Sequence, residues 1–397
     1  MSSGGRGPPR VLAPLLVRAF PPAHGGARAL LGTLVELARR GFRCVAVLRL
    51  QPRGAPDDRF EGQSLAGLVG AGIRWRSLSP GTLSFWWRGV RFLGVEGDPD
   101  DFVGAYRAEA GSAGPTLHLL GDQGVDGCPE LLALAAGSGG LVYSAQTLNL
   151  QPFGPASIAL DPVASSLLLR ARLVLAPSRF LAAYIKEHLG IPASVYLPPV
   201  FRRPGHQASV GSLVGMINPC LWKGGPLFLE MARALPDVPF GAVPTWGPVV
   251  DELASLPNVT WIPESPDIGQ VLRRFRVLVV PSLWQEAFGL VVVEAMLRGI
   301  PVVASDLGGL RESTLGACSL VAVTPLEFTR KVFGGVETVE PLVPPLALGP
   351  WLDALRPLVF HEGAWRAASE RARAAAERFV ARLRGGRIAR LLRRAPG

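Results

Sequence analysis

The chain has 397 residues, of which 48% are hydrophobic and 18% charged, and its formal net charge is +10. This length favours two domains of about 100–200 residues, and the apolar fraction excludes a globally disordered chain. No segment approaches the roughly 18 consecutive apolar residues of a membrane-spanning helix. The four cysteines form no Cys-x-x-Cys pair and no metal-ligand spacing, so we expect a reducing, cytoplasmic setting.

The first half alternates short apolar runs with amphipathic helical patterns. The run 11–17 is broken by Pro14 and predicts a first strand rather than a signal peptide. In chain order, the predicted elements are a helix at Arg28–Arg40, strands at Cys44–Leu48, Gly72–Arg76 and Val90–Gly94, a helix at Phe102–Glu109, a strand at Thr116–Leu120, a helix at Glu130–Ala136, a strand at Leu141–Ser144, a helix at Val163–Arg170, a strand at Leu173–Ala176 and a helix at Phe180–Leu189. Alternating strands and helices indicate a parallel sheet that helices cover on both faces.

A proline-marked break near residues 198–206 precedes a second alternating series. The predicted elements are a strand at Ser212–Met216, a helix at Pro226–Leu235, a strand at Phe240–Val243, a helix at Val249–Leu256, a strand at Val259–Ile262, a helix at Ile268–Arg274, a strand at Val277–Val280, a helix at Leu290–Arg298 and a strand at Val302–Ala304. We therefore expect two doubly wound α/β halves. Such halves bind ligands at the carboxyl ends of their strands, and a cleft between them is the natural site.

The segment Pro281–Ala295 contains the densest group of candidate site residues. Gly289 permits a tight turn, after which the amides from Phe288 to Val291 would open a helix toward an anion. Glu294 lies among apolar residues, where a carboxylate needs partners such as the vicinal hydroxyls of a ribose. Glu286 precedes the same turn and could meet a sugar. The alternative from spacing alone is that Glu294 lines a solvated stripe and Glu286 caps the helix.

Two glutamates separated by seven residues, with Phe-Gly-Leu between them, resemble the motif of family 4 retaining glycosyltransferases. Gly308-Gly309-Leu310-Arg311-Glu312 continues that resemblance. The resemblance implies the GT-B fold, in which two facing Rossmann-like doubly wound domains enclose a cleft. It also implies that Glu286 contacts the donor sugar and Glu294 the ribose hydroxyls, while the amides of Phe288, Gly289, Leu290 and Val291 meet sugar and phosphates.

Two further loops fit the same family. In the segment 214–225, Lys223 follows a strand and precedes Gly224 and Gly225, which is a good place for an ammonium beside a diphosphate. The family usually has an arginine five residues earlier, where this chain has Asn218, so we expect Asn218→Arg to strengthen nucleotide binding or leave it unchanged. The family uses a loop like Gly25-Gly26 to approach the diphosphate, and His24 lies beside it as a candidate acceptor-side residue.

The acceptor side of the first domain has fewer recognisable residues. The family often has a histidine after the strand that corresponds to Leu141–Ser144, and Gln146 stands there, able to hydrogen-bond but not to act as a base. His118 and Asp122 are at the end of the preceding strand and are candidate acceptor-site groups, with His118 and Gln146 as catalytic candidates beside Glu286. A satisfied histidine in the fold is the alternative for His118.

Ten arginines in Trp365–Gly397 account for most of the excess positive charge. Residues 385–397 within it have little apolar surface to dock. The Arg-rich segment either contacts an anionic membrane peripherally or forms a solvated helix face, and no interleaved aromatics favour nucleic acid. We expect an acceptor-binding domain at 1–200, a nucleotide-sugar domain at 201–372, and a basic helix or tail at 373–397 that packs toward the first domain.

These features predict a retaining glycosyltransferase that transfers a sugar from a nucleotide-diphosphate donor, with a UDP-sugar favoured, to an acceptor hydroxyl. No cofactor or metal is expected, because Lys223 and helix N-termini would neutralise the diphosphate. Two alternatives stay open from the sequence. One is a sugar-nucleotide epimerase or phosphorylase of the same fold, and the other is a non-catalytic sugar-binding protein.

Overall fold

The computed structural model describes residues 9–17, 20–22, 25–50, 65–112, 114–122, 128–198, 201, 211–247, 249–265, 267–333, 336–383 and 386–394, without the side chains of 331–338 and 394. The chain divides into two compact units. Unit 1 is Met1–Val200 with Arg384–Gly397, and unit 2 is Phe201–Leu383. Within the described ranges, no helix has the length and apolar character needed to span a membrane.

Unit 1 is built on a nine-stranded sheet of order β3-β4-β5-β2-β1-β6-β7-β8-β9. Its strands are β1 (Arg10–Leu15), β2 (Arg43–Leu50), β3 (Arg76–Ser79), β4 (Thr82–Trp87), β5 (Val90–Glu96), β6 (Thr116–Gly121), β7 (Leu141–Ser144), β8 (Leu173–Ala176) and β9 (Ser194–Val195). Its helices are α1 (Gly25–Ala38), α2 (Leu65–Gly70), α3 (Pro99–Gly111), α4 (Pro129–Gly137), α5 (Pro162–Leu168) and α6 (Arg179–Leu189), with α13 (Arg387–Arg394) near the end of the chain. All six residues of β1 are buried, as expected of a parallel strand with helices on both faces.

An antiparallel extension at one edge of this sheet differs from the predicted strands. The strand predicted at Gly72–Arg76 is wrong, because β3 begins only at Arg76, and β4 contains the Phe85-Trp86-Trp87 stretch. Phe85 packs inward and stacks on Phe92 of β5 at 4.7 Å, whereas Trp86 is 69% exposed. This alternation of buried and exposed side chains is the pattern of a half-buried antiparallel strand.

Unit 2 is built on six parallel strands in the order β12-β11-β10-β13-β14-β15. They are β10 (Leu213–Ile217), β11 (Phe240–Val243), β12 (Val259–Trp261), β13 (Phe275–Val280), β14 (Val302–Ser305) and β15 (Ser319–Val321), and β16 (Glu327–Phe333) with β17 (Val336–Leu342) forms a separate antiparallel pair. The helices are α7 (Gly225–Ala234), α8 (Ile268–Leu272), α9 (Leu290–Met296), α10 (Leu310–Ser313), α11 (Gly349–Phe360) and α12 (Glu362–Arg382), with 3₁₀ turns at Leu221–Lys223 and Asp251–Ser255.

The strand order reverses direction at one place in each sheet. In unit 1 the chain moves from β1 to β2 on one side and later to β6 on the other; in unit 2, β10 lies between β11 and β13 in the same way. Loops that follow the two central strands diverge there and leave a crevice at the carboxyl ends of the strands. The loops after β10 and β13 contain Lys223 and Glu286, so the sheet order itself brings these two residues to one edge.

The C-terminal region divides between the two units at a different residue from the one expected. Helix α12 continues to Arg382 in unit 2, where Phe379 stacks on Phe288 at 6.0 Å, so the expected boundary at 372/373 is wrong and the division falls at 383/384. The expectation of little apolar surface is also wrong, because Ile388, Ala389 and Leu392 of α13 are buried in the core of unit 1.

Glu36 of α1 anchors the start of this last helix. Its carboxylate accepts hydrogen bonds from the Gly386 backbone N–H at 2.8 Å and from the Tyr196 hydroxyl at 2.8 Å. The apolar face of α13 and this buried acceptor together fix residues 386–392 as an integral part of unit 1.

Candidate functional site

Lys223 lies at the end of the 3₁₀ turn that follows β10, and two glycines allow this turn to approach the loop after β13. Gly224 has a left-handed backbone, with φ +83°, and a Cβ there would lie 1.9 Å from the Pro281 carbonyl oxygen. A Cβ on Gly225 would lie 2.3 Å from the Pro219 carbonyl oxygen. Only glycine fits at these positions, and the close approach is what brings Lys223 to the second loop.

Glu286 forms an ion pair with Lys223, and Ser282 Oγ donates to the same carboxylate oxygen of Glu286 at 3.0 Å. The two charged side chains are 15% and 17% exposed, so each stays partly open to solvent. Glu286 does not cap the following helix, because the N-cap of α9 is Gly289 and no side chain caps it. The alternative role for Glu286 that the spacing left open is therefore wrong.

The Gly308-Gly309 pair holds the Glu286 backbone from the other side. The Gly309 N–H donates to the Glu286 carbonyl at 2.7 Å, and a Cβ on Gly309 would lie 2.2 Å from the Ala287 carbonyl oxygen. These glycines let the turn after β14 pack directly on residues 286–287. The loop that positions Glu286 is thus clamped between two glycine-containing turns.

Helix α9 begins after Gly289, whose φ of +91° makes the tight turn that the sequence predicted. Phe288 packs inward on Phe379, while Gly289, Leu290 and Val291 are half-buried and border on solvent. Glu294 is only 4% exposed, which excludes the alternative that it lines a solvated stripe. The predicted contact of this buried carboxylate with a ribose stays a prediction.

Asn218 follows β10 with φ +59°, a conformation that asparagine tolerates better than most residues. It is 4% exposed, and its side-chain amide satisfies two groups of Trp246. With the amide orientation assigned from its hydrogen-bond partners, Nδ2 donates to the Trp246 carbonyl at 2.7 Å, and Oδ1 accepts from Trp246 Nε1 at 3.2 Å. This buried, left-handed position with both amide atoms engaged gives Asn218 a structural role toward Trp246. The expected effect of Asn218→Arg on nucleotide binding stays a prediction.

Sequence reasoning missed the aromatic surroundings of Lys223. Its Nζ lies 4.2 Å from the ring centroid of Trp284 and 5.6 Å from that of Trp246, and Trp222 packs on both indoles at 5.8 and 6.1 Å. Trp222 and Trp284 adjoin the motif residues in sequence, and this proximity could have indicated that they lie at the site. Trp246 belongs to no motif, and only the fold brings it to the site.

In unit 1, the structure brings together Gln146 and the Gly25-Gly26 loop. Helix α1 begins at Gly25, and a Cβ on Gly26 would lie 3.4 Å from the Cβ of Gln146. Gln146 Nε2 donates to Ser144 Oγ at 2.5 Å, at the carboxyl end of β7. These residues therefore share the edge of the sheet that the strand order marks as a binding site. His24, the predicted acceptor-side neighbour, lies outside the described residues.

Asp122 is buried and its carboxylate is saturated with donors from the protein. Oδ1 accepts from the Tyr143 hydroxyl at 2.9 Å and from Gln151 Nε2 at 3.0 Å, and Oδ2 accepts from the backbone N–H groups of Gln146 and Thr147. Burial raises the pKa of Asp122, and these hydrogen bonds oppose that shift. Asp122 organises the loop that carries Gln146, and it is not open to an acceptor as the sequence suggested.

His118 lies within β6, 2% exposed, with Nδ1 3.0 Å from the hydroxyl of Tyr106. Burial, with a smaller contribution from the Arg10 guanidinium, lowers the pKa of His118 to about 4. The expectation of a catalytic role is wrong, because the imidazole packs inside the unit three residues before the strand ends. Across the residues that the structure describes, no group of three or more His, Cys, Asp or Glu side chains is arranged to hold a metal ion.

The family comparison matches a segment of the second unit, and the curated relatives match short stretches of the chain. Residues 250–314 match the sequence model of the family described as glycosyl transferases group 1, a segment that includes Glu286 and Glu294. The chain is 36% identical over 126 residues to a D-inositol 3-phosphate glycosyltransferase of Mycobacterium sp. (strain KMS), which is 28% of each protein. It is 44% identical over 61 residues to the protein of that name from Nocardia farcinica (strain IFM 10152), covering 15% of this chain and 13% of that one. The matched region thus spans less than a third of these relatives.

Solved structures match nearly the whole chain at low identity. HepE of Anabaena in complex with UDP has a TM-score of 0.63 and 19% identity, covering 97% of this chain and 99% of that one. The catalytic domain of starch synthase IV from Arabidopsis thaliana, bound to ADP and acarbose, has a TM-score of 0.62 and 13% identity, covering 98% and 100%. The protein therefore has the GT-B fold, with two Rossmann-like units, and residues 250–314 of its second unit match the sequence model described as glycosyl transferases group 1.

Proposed function

We propose that this protein is a glycosyltransferase that moves a sugar from a nucleotide-diphosphate donor to an acceptor hydroxyl with retention at the anomeric carbon. The observation that carries the proposal is the Lys223–Glu286 pair at the point where the strand order of unit 2 reverses. Glu286 lies inside the segment that matches the group 1 glycosyl transferases. An ammonium and a carboxylate side by side suit a ligand with both phosphate and hydroxyl groups.

Unit 2 is proposed to hold the donor. Lys223 would contact the diphosphate, Glu286 the transferred sugar and Glu294 the ribose, with the amides of residues 288–291 facing sugar and phosphate. Lys223 and these amides would supply the positive charge that the diphosphate needs, without a metal ion. A UDP-sugar is favoured, since HepE was solved with UDP and with UDP-glucose, although starch synthase IV was solved with ADP.

Unit 1 is proposed to hold the acceptor near Gln146 and the Gly25-Gly26 loop. Gln146 can orient a hydroxyl but has no basic nitrogen to deprotonate it. We therefore propose attack from the face of the leaving group. The acceptor oxygen bonds to the anomeric carbon as the bond from that carbon to the phosphate oxygen breaks, and the acceptor proton passes to the departing diphosphate.

A thermal-shift panel of UDP, GDP, ADP and dTDP with their sugars tests the donor site. We expect the nucleotides of one base to raise the melting temperature of the wild type. Lys223→Ala should lose most of this increase, whereas Lys186→Ala, on the exposed end of α6, should keep it. The stabilising donor is then incubated with and without candidate acceptors, and the anomeric configuration of the product is read by NMR. Conversion of the donor sugar without acceptor would indicate an epimerase, and an inverted product would contradict retention.

The exposed face of α13 is proposed to contact anionic lipid headgroups. Its apolar face is buried, while Arg387, Arg390 and Arg393 are exposed. The guanidinium groups of Arg40 and Arg390 both lie beside Gly386, since a Cβ there would be 3.5 Å from Arg40 Cζ and 3.6 Å from Arg390 Nη1. Neither group forms an ion pair with a described carboxylate. Arginines that face outward on one surface attract anionic membranes by roughly 1 kcal/mol each.

Vesicle sedimentation tests this contact. Binding to phosphatidylglycerol vesicles should fall when Arg387, Arg390 and Arg393 are changed to Glu, and should weaken at high salt. The same charge change on α12, at Arg371, Arg378 and Arg382, is the matched control and should leave binding intact. If both triple variants lose vesicle binding equally, the effect depends only on net charge. If the α13 variant binds vesicles normally but loses binding to RNA, the partner is nucleic acid instead.

A further inference from the structure

Trp246 is the residue of the site that no expected role explains. It lies in the loop after β11, it is 38% exposed, and Asn218 bonds both its carbonyl oxygen and its indole N–H. The Asn218 backbone N–H also donates to the Val243 carbonyl at 2.8 Å, which ties the loops after β10 and β11 together. Asn218 therefore fixes both the backbone and the ring orientation of Trp246.

The fixed indole lies beside the ammonium of Lys223. Lys223 Nζ is 5.6 Å from the ring centroid of Trp246, 4.2 Å from that of Trp284, and paired with Glu286. The Lys223 side chain is only 15% exposed, so its ammonium has lost part of its hydration. Two indole faces and a carboxylate replace that hydration, since aromatic faces attract a cation within about 6 Å.

We propose that Asn218 and Trp246 form a positioning pair that holds Lys223 for the diphosphate. The inference rests on the proposed function, because it assigns Lys223 a phosphate contact. Asn218 acts through the indole, and the indole with Trp284 restricts where the ammonium can lie. Asn218 stands where the family usually has an arginine, and here this neutral residue orients the Lys223 ammonium through an indole ring.

The size of the effect follows from the strength of cation–aromatic contacts. Losing the Trp246 face should weaken binding of a nucleoside diphosphate by about 2- to 30-fold, the range that such contacts span from exposed to desolvated sites. The parent nucleoside has no phosphate to meet Lys223, so its affinity should not change. A role in folding alone would lower both affinities together.

The experiment measures the affinities of Trp246→Ala, Trp246→Phe, Asn218→Ala and the Asn218→Ala/Trp246→Ala double variant by calorimetry. The probes are the nucleoside diphosphate that most stabilises the wild type in the panel of UDP, GDP, ADP and dTDP, and its nucleoside. Trp246→Phe should keep part of the diphosphate affinity, because a phenyl face still attracts a cation. The matched control is Trp86→Ala, which removes an exposed tryptophan of unit 1 and should change neither affinity.

The double variant tests whether Asn218 acts through Trp246. If it does, the double variant should bind the diphosphate no more weakly than Trp246→Ala alone. In the absence of the Trp246 indole, Asn218 has no ring left to orient, so removing it has no further effect. Additive losses would overturn the proposal, and so would equal losses of diphosphate and nucleoside. If Trp246→Ala and Trp246→Phe both bind the diphosphate as tightly as the wild type does, the inference about Asn218 and Trp246 is overturned and the proposed function is not. A wild type that binds none of the four nucleotides would overturn the proposed function with it.

Discussion

The Glu286 carboxylate and the Lys223 ammonium form an ion pair between loops 63 residues apart in sequence. The loop after β10 supplies the cation and the loop after β13 the anion, so each residue is available to a ligand only in competition with the other. A diphosphate that binds Lys223 must displace Glu286 or share the ammonium with it.

Glu286→Gln is expected to bind the nucleoside diphosphate several-fold more tightly, by on the order of 1 kcal/mol, since the neutral amide no longer competes for Lys223 or repels the phosphates. Turnover should fall, because the lost charge would stabilise the sugar as positive charge develops on it. Calorimetry with the diphosphate and initial rates with the sugar donor check both effects. Weaker diphosphate binding would instead show that Glu286 contacts the nucleotide or holds Lys223 in place.

Glu294→Gln should weaken nucleoside diphosphate binding on the order of 10–100-fold. Glu294 is assigned to the ribose, and losing charge-assisted hydrogen bonds costs roughly 1.5–3 kcal/mol. The measurement is calorimetric titration together with the melting temperature, and Glu370→Gln on the exposed face of α12 is the control. A lower melting temperature with unchanged nucleotide affinity would make Glu294 a structural residue.

Gly224→Ala and Gly316→Ala form a matched pair. Both positions have positive φ, +83° and +67°, and each alanine should cost about 1–2 kcal/mol of backbone strain. Only at Gly224 does the new Cβ meet an atom, the Pro281 carbonyl oxygen at 1.9 Å, whereas nothing lies within 4 Å at Gly316. Gly224→Ala should therefore separate Lys223 from Glu286 and lower nucleotide affinity at least about 10-fold. Equal affinities in the two variants would contradict this account of Gly224.

Ile388→Ala and Leu392→Ala should each lower the stability of unit 1 by about 2–5 kcal/mol, because both side chains are buried in its core. Changing Arg387, Arg390 and Arg393 to Glu should leave the stability nearly unchanged, since these side chains are exposed. Thermal unfolding of the full chain compares the two sets. Similar stability in all variants would mean that α13 contributes little to the fold.

His118→Gln should make the stability of the protein less sensitive to acid. The pKa of His118 is about 4 in the folded protein and about 6.5 in an unfolded chain, so between these values the unfolded chain takes up a proton that the folded chain does not. Stability therefore falls as the pH drops from 6.5 to 4, by about 3 kcal/mol in total from this residue. Denaturant unfolding across this range should show a shallower slope for His118→Gln than for wild type or for His361→Gln at an exposed position. Parallel slopes would mean that His118 does not set the acid response.

The parallel strands were predictable because each is an apolar run bounded by turn residues. Residues 302–304 were predicted as a strand, and β14 is Val302–Ser305. The β3–β4 edge was not predictable in the same way, since its antiparallel strands are short and their aromatic residues resemble a turn-rich stretch. Residues 249–256 were predicted as a helix, and a 3₁₀ turn forms at Asp251–Ser255 instead.

The candidate site was predictable where a residue and its support lie in one motif. Glu286, its following turn and the glycines of the next loop are within 25 residues, and the structure joins them through the Gly309 hydrogen bond. The role of Asn218 depends on Trp246, 28 residues away, and no local pattern encodes that contact. His118 was predicted as a site residue because the sequence pattern around a polar residue near a strand end does not show whether its side chain faces a ligand or packs on a neighbour such as Tyr106.

The hydrogen bond from Gly386 to Glu36 spans 350 residues, and it has a consequence for synthesis on the ribosome. The first unit cannot complete its core until the segment through residue 392 has left the exit tunnel, whereas unit 2 ends at Leu383 and has all its strands and helices earlier. Translation adds about 5–20 residues per second, so the nascent first unit waits with an open apolar face while the second unit is made. The unit that begins to emerge first therefore cannot finish folding until the last helix of the other unit has been made.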